Sequence, residues 1–399
     1  MSDQGRLEWA NALRGVAALL VAGGHLLIAV VIALPIAQSV VRQPGDPSLE
    51  QSRIIATWVD SLGFDFMAAG VCAFFLLSGL VIARSLQRYS RTGFLIGRGF
   101  RLIPTYAVGY LLGCAAIALL AVVDARPIPI TLVEVMGGLI PGVDILFRVP
   151  SLPNGIAWTL MVEIGFYGLC LVFHRRIVTS AGLRLVIAGG CVAVQTLALS
   201  VADVPGGLIG VWAFMGIVLP FLPILLIGVH LSAVGAPAEL RVRDAAVMAL
   251  LFVAFLGMSK QARTPYVVPE AEWWFTYGVV TAVFVALWAW AGSRGDGPVL
   301  GWLAAISYPL YVLHLLVGWA VIIGLTLRGV PSLWAQVVAV VVVLALAWAV
   351  HLTVEAPTHR VGQRLARRVS EREARADQVS AVTPVAVGSD ASPGPVGPS

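Results

Sequence analysis

A few ionisable side chains interrupt the apolar stretches of this 399-residue chain. Arg14 and His25 lie in LRGVAALLVAGGHLL, eleven residues apart, which is three helical turns plus about 20°. We therefore expect both on one face of a helix, about 16 Å apart along its axis. A histidine can take the proton of a hydroxyl nucleophile, and an arginine can hold an anion. A snorkelling arginine and a helix-packing histidine fit this pattern equally well.

Two further segments carry charge into apolar sequence. Arg98 and Arg101 in FLIGRGFRLIPTY are three residues apart, so they share one face at the predicted start of a helix. Such a pair suits the phosphates of a coenzyme, and membrane anchoring explains it about as well. Glu163 lies about eight residues into an apolar helix, where a bare carboxylate is costly. We expect a cationic partner for it (Arg14, Arg98, Arg101 or a histidine), in a catalytic or a purely structural pair.

The remaining polar residues at membrane depth fit packing more readily than chemistry. Ser78 lies in the Ser-Gly pair of FFLLSGLVI, which is typical of close helix packing, although its hydroxyl would also suit a cavity wall. Tyr308, Tyr311 and His314 recur every three residues in ISYPLYVLH and form one polar stripe. We interpret the stripe as hydrogen-bonded packing, with Ser78, Tyr311 and His314 as secondary candidates for substrate binding. Glu355 follows the last apolar run, where a cap or a surface pair explains it.

The composition identifies the environment that must hold these residues. Hydrophobic residues make up 59% of the chain and charged residues 12%, with a mean hydropathy of +0.91. Soluble domains carry about a quarter charged residues, so a soluble enzyme, a nucleic-acid binder and a disordered chain are excluded. The 41 Gly and 23 Pro follow no period, which excludes a fibrous repeat. We predict an all-α polytopic membrane protein of about ten transmembrane helices.

Apolar runs bounded by charges, Gly or Pro locate these helices. The predicted ranges are 12–34, 66–86, 102–123, 156–174, 183–201, 208–232, 244–258, 274–291, 302–325 and 334–354. Pro220 and Pro223 should break the sixth helix. The first run is too long for a signal peptide and is predicted to stay as a span. Cys72, Cys114, Cys170 and Cys191 fall in apolar stretches and are predicted to be buried thiols.

The loop charges predict that both termini are cytoplasmic. With that orientation, seven of the 26 Lys and Arg residues lie outside, Arg14 lies in a span and the other eighteen lie inside. The net charge of +5 and the pI near 9.3 then reflect cytoplasmic loops and do not indicate a nucleic-acid partner. Two long outer segments, 35–65 and 124–155, are either partial lids over a site or plain links.

Composition also divides the chain. Residues 1–360 form the predicted membrane domain, and residues 361–376 a basic cytoplasmic helix that should lie on the anionic leaflet. Residues 377–399 are rich in small residues and Pro, lack aromatic residues and are predicted to be disordered.

Taken in order, the motifs resemble those of the acyltransferase type 3 family of integral-membrane O-acyltransferases. The matching pieces are LRG with a histidine ten intervening residues on, FFLLSGLVI, RxxRLIP, WTLxVExxFY, ISYPLYVLH and VEAP, over about residues 7–360. Asn11 and Ala12 stand where the family often has Asp-Gly, and Ile164 replaces a second acid that is common after Glu163. These departures bear on the identity of the substrate more than on the reaction.

The resemblance implies a reaction and roles for the residues. An acetyl or short acyl group would pass from acyl-CoA, a co-substrate and not a bound cofactor, to a sugar hydroxyl of a surface polysaccharide, glycolipid or glycosylated metabolite. His25 would be the general base, with Arg14 and Glu163 beside it in catalysis. Arg14, Arg98 and Arg101 would hold the coenzyme phosphates or the developing oxyanion. No metal is implied, and direct transfer and an acyl-histidine relay stay open.

Two other classes of function remain as alternatives. A proton-coupled transporter or flippase of a glycan precursor would also combine about ten helices with a broken span and buried charges. The lack of an internal repeat and the ordered motifs argue against it. A non-catalytic subunit of a polysaccharide assembly complex would keep the fold without needing the histidine. In each case the partner is the lipid bilayer of the inner, cytoplasmic membrane, with no nucleic acid and an undetermined oligomeric state.

The predicted orientation is testable by cysteine labelling in intact cells. We expect an impermeant maleimide to label a cysteine placed at Ser48 and to leave one at Ser389 unlabelled, because the charge bias puts 35–65 outside and the C-terminus inside. Labelling of both positions after permeabilisation controls for reactivity. Labelling of Ser389 in intact cells would reverse the orientation.

Overall fold

The computed structural model describes residues 5–43, 61, 63–200, 206–259, 271–290 and 297–382. Every regular element in these ranges is a helix, which confirms the predicted all-α class. The α-helices of five or more residues are α1 (Gly5–Gly23), α2 (Leu34–Val41), α3 (Phe66–Arg88), α4 (Arg91–Val123), α5 (Leu132–Gly137), α6 (Val143–Phe147), α7 (Ala157–Phe173), α8 (Arg175–Thr179), α9 (Ala181–Ser200), α10 (Ile209–Val218), α11 (Leu222–Val234), α12 (Val242–Ser259), α13 (Ala271–Trp290), α14 (Pro298–Leu313), α15 (Leu316–Thr326), α16 (Ser332–Val350) and α17 (Ala356–Val382).

A helix lies at each of the ten predicted positions. Within the described ranges, eight helical segments are long and apolar enough to cross a bilayer, and α14 with α15 makes a ninth if that bent pair counts as one span. The remaining helix, α7, lies at the fourth predicted position and is apolar but only 17 residues long. The chain is therefore a multi-pass membrane protein, and the side on which its termini lie stays a prediction.

Three membrane segments depart from regular α-helix. The first span widens into a π-helix over Gly24–Ala29. The sixth predicted helix is interrupted by a 3₁₀ turn over Leu219–Phe221, as its prolines predicted. The ninth predicted helix is broken between α14 and α15, whose axes differ by 66°. Irregular backbone at membrane depth is tolerated where protein buries it, so these positions are candidates for a functional site.

Helix α3 lies at the centre of the bundle, where it packs against α1, α11 and α13. At the α3–α11 contact the backbones nearly touch: a Cβ atom on Gly79 would lie 2.0 Å from the Leu225 carbonyl oxygen, and one on Gly228 would lie 2.2 Å from that of Leu76. Only glycine fits at such a distance. The predicted close packing at the Ser-Gly pair is therefore present, and the four cysteines are free and buried, as predicted.

The third predicted helix is longer than expected. It begins at Arg91 instead of residue 102, because the Ser90 hydroxyl caps it by accepting a hydrogen bond from the Gly93 amide at 3.2 Å. Arg98 and Arg101 consequently lie about two to three turns inside α4 and not at its start. They are held on a rigid helix.

The basic C-terminal helix packs against protein along α4. A second π-helix, His351–Glu355, joins α16 directly to α17. The chain therefore stays helical past residue 354, the predicted end of the tenth helix, and α17 is longer than the predicted segment 361–376. The Ser370 hydroxyl accepts a hydrogen bond from the Ser90 amide at 3.0 Å. Residues 377–382 of the predicted tail continue α17, and residues 383–399 lie outside the described residues.

Parts of the two predicted outer segments are joined to each other by an ion pair. Arg42, just after α2, donates to Glu134 of α5 with Nη2–Oε1 at 2.5 Å and also contacts the Pro129 carbonyl. Glu134 closes a capping box with Thr131 at the start of α5. The carboxylate therefore holds the entry to α5 and links it to α2. Whether these segments act as lids stays a prediction.

The Arg42–Glu134 contact predicts a pH dependence of stability. Hydrogen bonds from Arg42, and next from the Thr131 backbone, lower the pKa of Glu134 from 4.5 to about 2. Because the folded-state pKa is depressed, its contribution is fully present above about pH 4.5 and is lost as the pH falls toward 2. Glu134→Gln should therefore unfold at a lower temperature than the wild type at pH 6, by a margin that shrinks on acidification. Glu371→Gln, at an exposed position on α17, is the control, and a margin independent of pH would contradict the assignment.

Candidate active site

A cavity lies among α1, α3, α4, α7 and α14. Apolar side chains form much of its wall. The polar side chains that line it are Arg14, Ser78, Arg98, Arg101, Thr159, Glu163, Tyr167, Ser307, Tyr308 and Tyr311. The structure thus brings together all three predicted arginines, the predicted glutamate, Ser78 and Tyr311. The other two candidates, His25 and His314, do not line it.

A larger open cleft, with about 2030 Å³ of empty space, adjoins this cavity. The two share Val81, Arg98 and Arg101 in their walls. The polar and aromatic residues that only the cleft contains are Arg84, Ser85, Gln87, Arg88, Tyr89, Phe94, Ser232, Trp288, His359 and Gln363. The arginine-rich cleft and the inner cavity therefore meet at the paired arginines.

Two aromatic rings hold the guanidinium of Arg98. Its Cζ atom lies 5.6 Å from the centroid of the Phe94 ring and 5.8 Å from that of Tyr167. Cation–π contact orients the guanidinium without neutralising its charge. The charge of Arg98 therefore remains available to an anionic ligand at the junction of cleft and cavity.

Hydroxyl groups, and not a cation, satisfy the Glu163 carboxylate. The Tyr167 hydroxyl donates to Oε1 at 2.5 Å and the Ser78 hydroxyl at 3.5 Å. Among the described residues, no basic nitrogen lies within 4.0 Å of the carboxylate. The prediction of a direct cationic partner for Glu163 was therefore wrong. The phenol of Tyr167, one helical turn later in α7 (i, i+4), donates a hydrogen bond to the carboxylate instead.

His25 and His314 form a second cluster beside the cavity. Their ring centroids lie 5.0 Å apart, with His314 Nε2 at 3.3 Å from His25 Nδ1. The His25 Nδ1 atom also lies 2.9 Å from the Val21 carbonyl oxygen. On the cavity side, the His314 ring contacts the Tyr311 ring at 5.6 Å between centroids. His25 therefore lies beyond Tyr311 and His314 as viewed from the cavity.

The π-helix that carries His25 is held by donors from two other helices. The indole Nε1–H of Trp319 donates to the His25 carbonyl oxygen at 3.0 Å, and the Gln336 amide donates to the Leu27 carbonyl oxygen at 3.3 Å. The Val30 amide also donates to the His25 carbonyl, in the pattern of a π-helix. Trp319 and Gln336 add side-chain donors and so tie this turn to α15 and α16.

The tyrosines of the predicted polar stripe are engaged in hydrogen bonds. The Tyr308 hydroxyl donates to the Leu102 carbonyl at 2.7 Å. The Thr159 hydroxyl donates to the Ile156 carbonyl at 2.9 Å, so the Tyr311 hydroxyl, 2.7 Å away, is the donor to Thr159. These bonds tie α14 to α4 and α7 and fix one wall of the cavity.

Several functional positions were missed at the level of sequence. Tyr167 had a usable signal, since it follows Glu163 by one helical turn. Thr159, Trp319 and Gln336 carried none, because their partners are 152 to 309 residues away in the chain. Phe94 is recognisable only once α4 is known to begin at Arg91.

The family comparison agrees with this arrangement. The model of the family described as an acyltransferase domain matches residues 7–352, which include every candidate site residue named above. The chain belongs to the acyltransferase type 3 family. It is therefore a membrane acyltransferase, as the motifs predicted.

No curated protein and no solved structure shows significant similarity to this acyltransferase. Within the part of the chain that the structure describes, no three His, Cys, Asp or Glu side chains are grouped so that they would hold a metal ion.

The support of the π-helix predicts a specific effect of removing one donor. Trp319→Phe keeps an aromatic ring but removes the indole bond to the His25 carbonyl, which still accepts from the Val30 amide, so we expect it to destabilise the protein by about 0.5–1.5 kcal/mol. Thermal unfolding in detergent should show a lower midpoint together with reduced turnover. Trp334→Phe, at a position 63% exposed, is the matched control. Equal midpoints for the two variants would mean that the indole bond does not support the site.

Proposed function

We propose that this acyltransferase transfers an acetyl or other short acyl group from acyl-CoA to a sugar hydroxyl. The acceptor would belong to a surface polysaccharide, a glycolipid or a glycosylated metabolite, and the enzyme would act in the inner, cytoplasmic membrane. The observation that carries the proposal is that the arginine-rich cleft adjoins, at Arg98 and Arg101, a cavity lined by Arg14 and Glu163.

The cleft suits the nucleotide end of coenzyme A. Arg84, Arg88, Arg98 and Arg101 all line it, and a guanidinium group forms charge-assisted, often bidentate, bonds with phosphate. Trp288 offers a large aromatic surface in the same cleft. The charge bias of the loops would place this opening on the cytoplasmic side, where acyl-CoA is made.

The inner cavity suits the thioester arm. Phe74, Phe75 and Leu77 contribute apolar surface, while Arg14 supplies a positive charge at the same depth. An arginine in a site from which water is excluded stabilises negative charge on the carbonyl oxygen as it develops. Glu163, held by two hydroxyls, would position groups near that carbonyl.

In the proposed reaction His25 is the general base. The acceptor oxygen attacks the thioester carbonyl carbon, so a C–O bond forms while the C–S bond breaks. His25 takes the hydroxyl proton and returns it to the departing thiolate, which balances the reaction. A base of this kind contributes about 10²–10⁴-fold to the rate. Phe74 and Tyr311, whose rings meet edge to face at 5.5 Å, line the cavity on the side of the histidine pair, so productive binding requires the thioester to pass them.

Paired variants test the proposal. His25→Ala should leave binding of coenzyme A near normal and nearly abolish turnover, because the base acts in the transition state and not in donor binding. Arg98→Ala should raise the Michaelis constant for acyl-CoA about tenfold or more, since it loses a charge-assisted contact worth roughly 1.5–3 kcal/mol. The measurements are a turnover assay and a thermal-shift titration with coenzyme A on the same preparations.

Controls and donor analogues complete the test. Arg372→Ala, at an exposed position on α17, should leave both the turnover and the Michaelis constant for acyl-CoA unchanged. Short thioesters without the nucleotide should be much less sensitive to Arg98→Ala than acyl-CoA is. Near-wild-type turnover by His25→Ala would remove the catalytic assignment. Proton-coupled flux of a glycan precursor, without acylated product, would favour the transporter instead.

A further inference from the structure

We propose that His314 positions His25 by accepting the hydrogen bond of its Nδ1–H, so that the pair works as a neutral histidine dyad with Nε2 of His25 as the basic atom. The proposal rests on the proposed function of His25 as a base and adds a positioning residue to it. It follows from the acceptors around each ring.

The surroundings of His25 assign the proton to Nδ1. A carbonyl oxygen accepts hydrogen bonds and cannot donate them, and that of Val21 lies 2.9 Å from His25 Nδ1. Nδ1 must therefore carry the hydrogen for this contact to be favourable. A neutral imidazole has one N–H, so Nε2 then carries the lone pair.

The surroundings of His314 lead to a complementary assignment. Its Nδ1 lies 3.3 Å from the Leu310 carbonyl oxygen, one turn back in α14. That contact places the hydrogen of His314 on Nδ1 and leaves a lone pair on Nε2. The same Nε2 lies 3.3 Å from His25 Nδ1. One N–H of His25 is thus shared between the Val21 carbonyl and the His314 ring, and the contacts of His25 Nδ1 and of both His314 nitrogens are compatible.

The arrangement leaves one basic atom free. Among the described residues, no group forms a hydrogen bond with Nε2 of His25, whose side chain is only partly buried. When Nε2 takes a proton, the positive charge spreads over the ring and strengthens the bond from Nδ1–H to His314. The aspartate of a serine-protease triad orients and stabilises its histidine in the same way. A neutral imidazole does so without placing a second charge at membrane depth.

The fold limits the motion of both rings. His314 is fully buried and lies at the 66° break between α14 and α15. Its ring is bounded by Tyr311 on one side and His25 on the other. The Trp319 bond to the His25 carbonyl anchors the other half of the pair. Two distortions of different helices therefore meet where the rings meet.

The first test uses two amide variants of His314 that differ in reach. In His314→Gln the amide occupies the region of Nε2 and can still accept from His25, whereas the shorter amide of His314→Asn lies near the position of Nδ1. We expect Gln to keep kcat within about tenfold of the wild type and Asn to lower it about 10²–10⁴-fold. His314→Leu, which has no acceptor, should resemble Asn. The Michaelis constant for acetyl-CoA should stay unchanged in all three, because the dyad lies outside the arginine-lined cleft.

The second test observes the protons in the unaltered protein. The chain has six histidines, so ¹⁵N-histidine labelling gives a spectrum simple enough to assign by loss of signals in His25→Ala and His314→Asn. We expect both neutral rings to be protonated at Nδ1 and unprotonated at Nε2. A protonated Nε2 on His314 would overturn the proposal, because His314 would then donate into the pair. This measurement does not depend on the activity of any variant.

The outcomes separate the dyad from the base. Near-wild-type kcat for all three His314 variants beside an inactive His25→Ala would overturn the dyad and leave the proposed function intact. Equal losses of kcat in His314→Gln, His314→Asn and His314→Leu would mean that His314 serves packing, and would also overturn the dyad. Turnover by His25→Ala would remove the proposed function itself, while the spectrum would still report on the hydrogen bond.

Discussion

A backbone carbonyl at membrane depth needs a donor within the protein, because lipid offers none. Where the first helix widens at Gly24–Ala29, the Val30 amide donates to the His25 carbonyl. Trp319 and Gln336 add side-chain donors to the His25 and Leu27 carbonyls from two later helices. These bonds tie the wide turn to α15, which follows the bend after α14, and to α16. Each of these features contributes to the position of His25.

The charged side chains of the cavity are likewise held by neutral groups of the protein. Glu163 is satisfied by the hydroxyls of Tyr167 and Ser78, and Arg98 is held by ring faces. The two charges therefore share one cavity without forming a direct ion pair. Direct pairing would have neutralised the charge of the arginine. Tyr167 serves both groups, since its hydroxyl binds the carboxylate and its ring contacts the guanidinium.

Hydropathy predicted the positions and order of the apolar helices because burial in lipid demands long apolar runs, although in the described part of the chain only eight or nine of the ten are long enough to span. The rarity of ionisable residues in such runs likewise identified Arg14, His25 and Glu163 as candidates. The partners of these residues were not predictable in the same way. Trp319 lies 294 residues from the His25 carbonyl that it binds, and no periodicity relates the two. The start of α4 was missed because its cap, Ser90, lies outside the apolar run.

The spacing of Arg14 and His25 shows what a shared helical face does and does not imply. Eleven residues of regular helix would place both side chains on one face, but the helix widens after Gly23 and His25 lies in the π-helical turn. Arg14 lines the cavity, whereas His25 meets His314. The neighbouring α14 contributes Tyr311 to the cavity wall, and His314 follows its last residue. The rings of Tyr311 and His314 therefore link the cavity that holds Arg14 to His25.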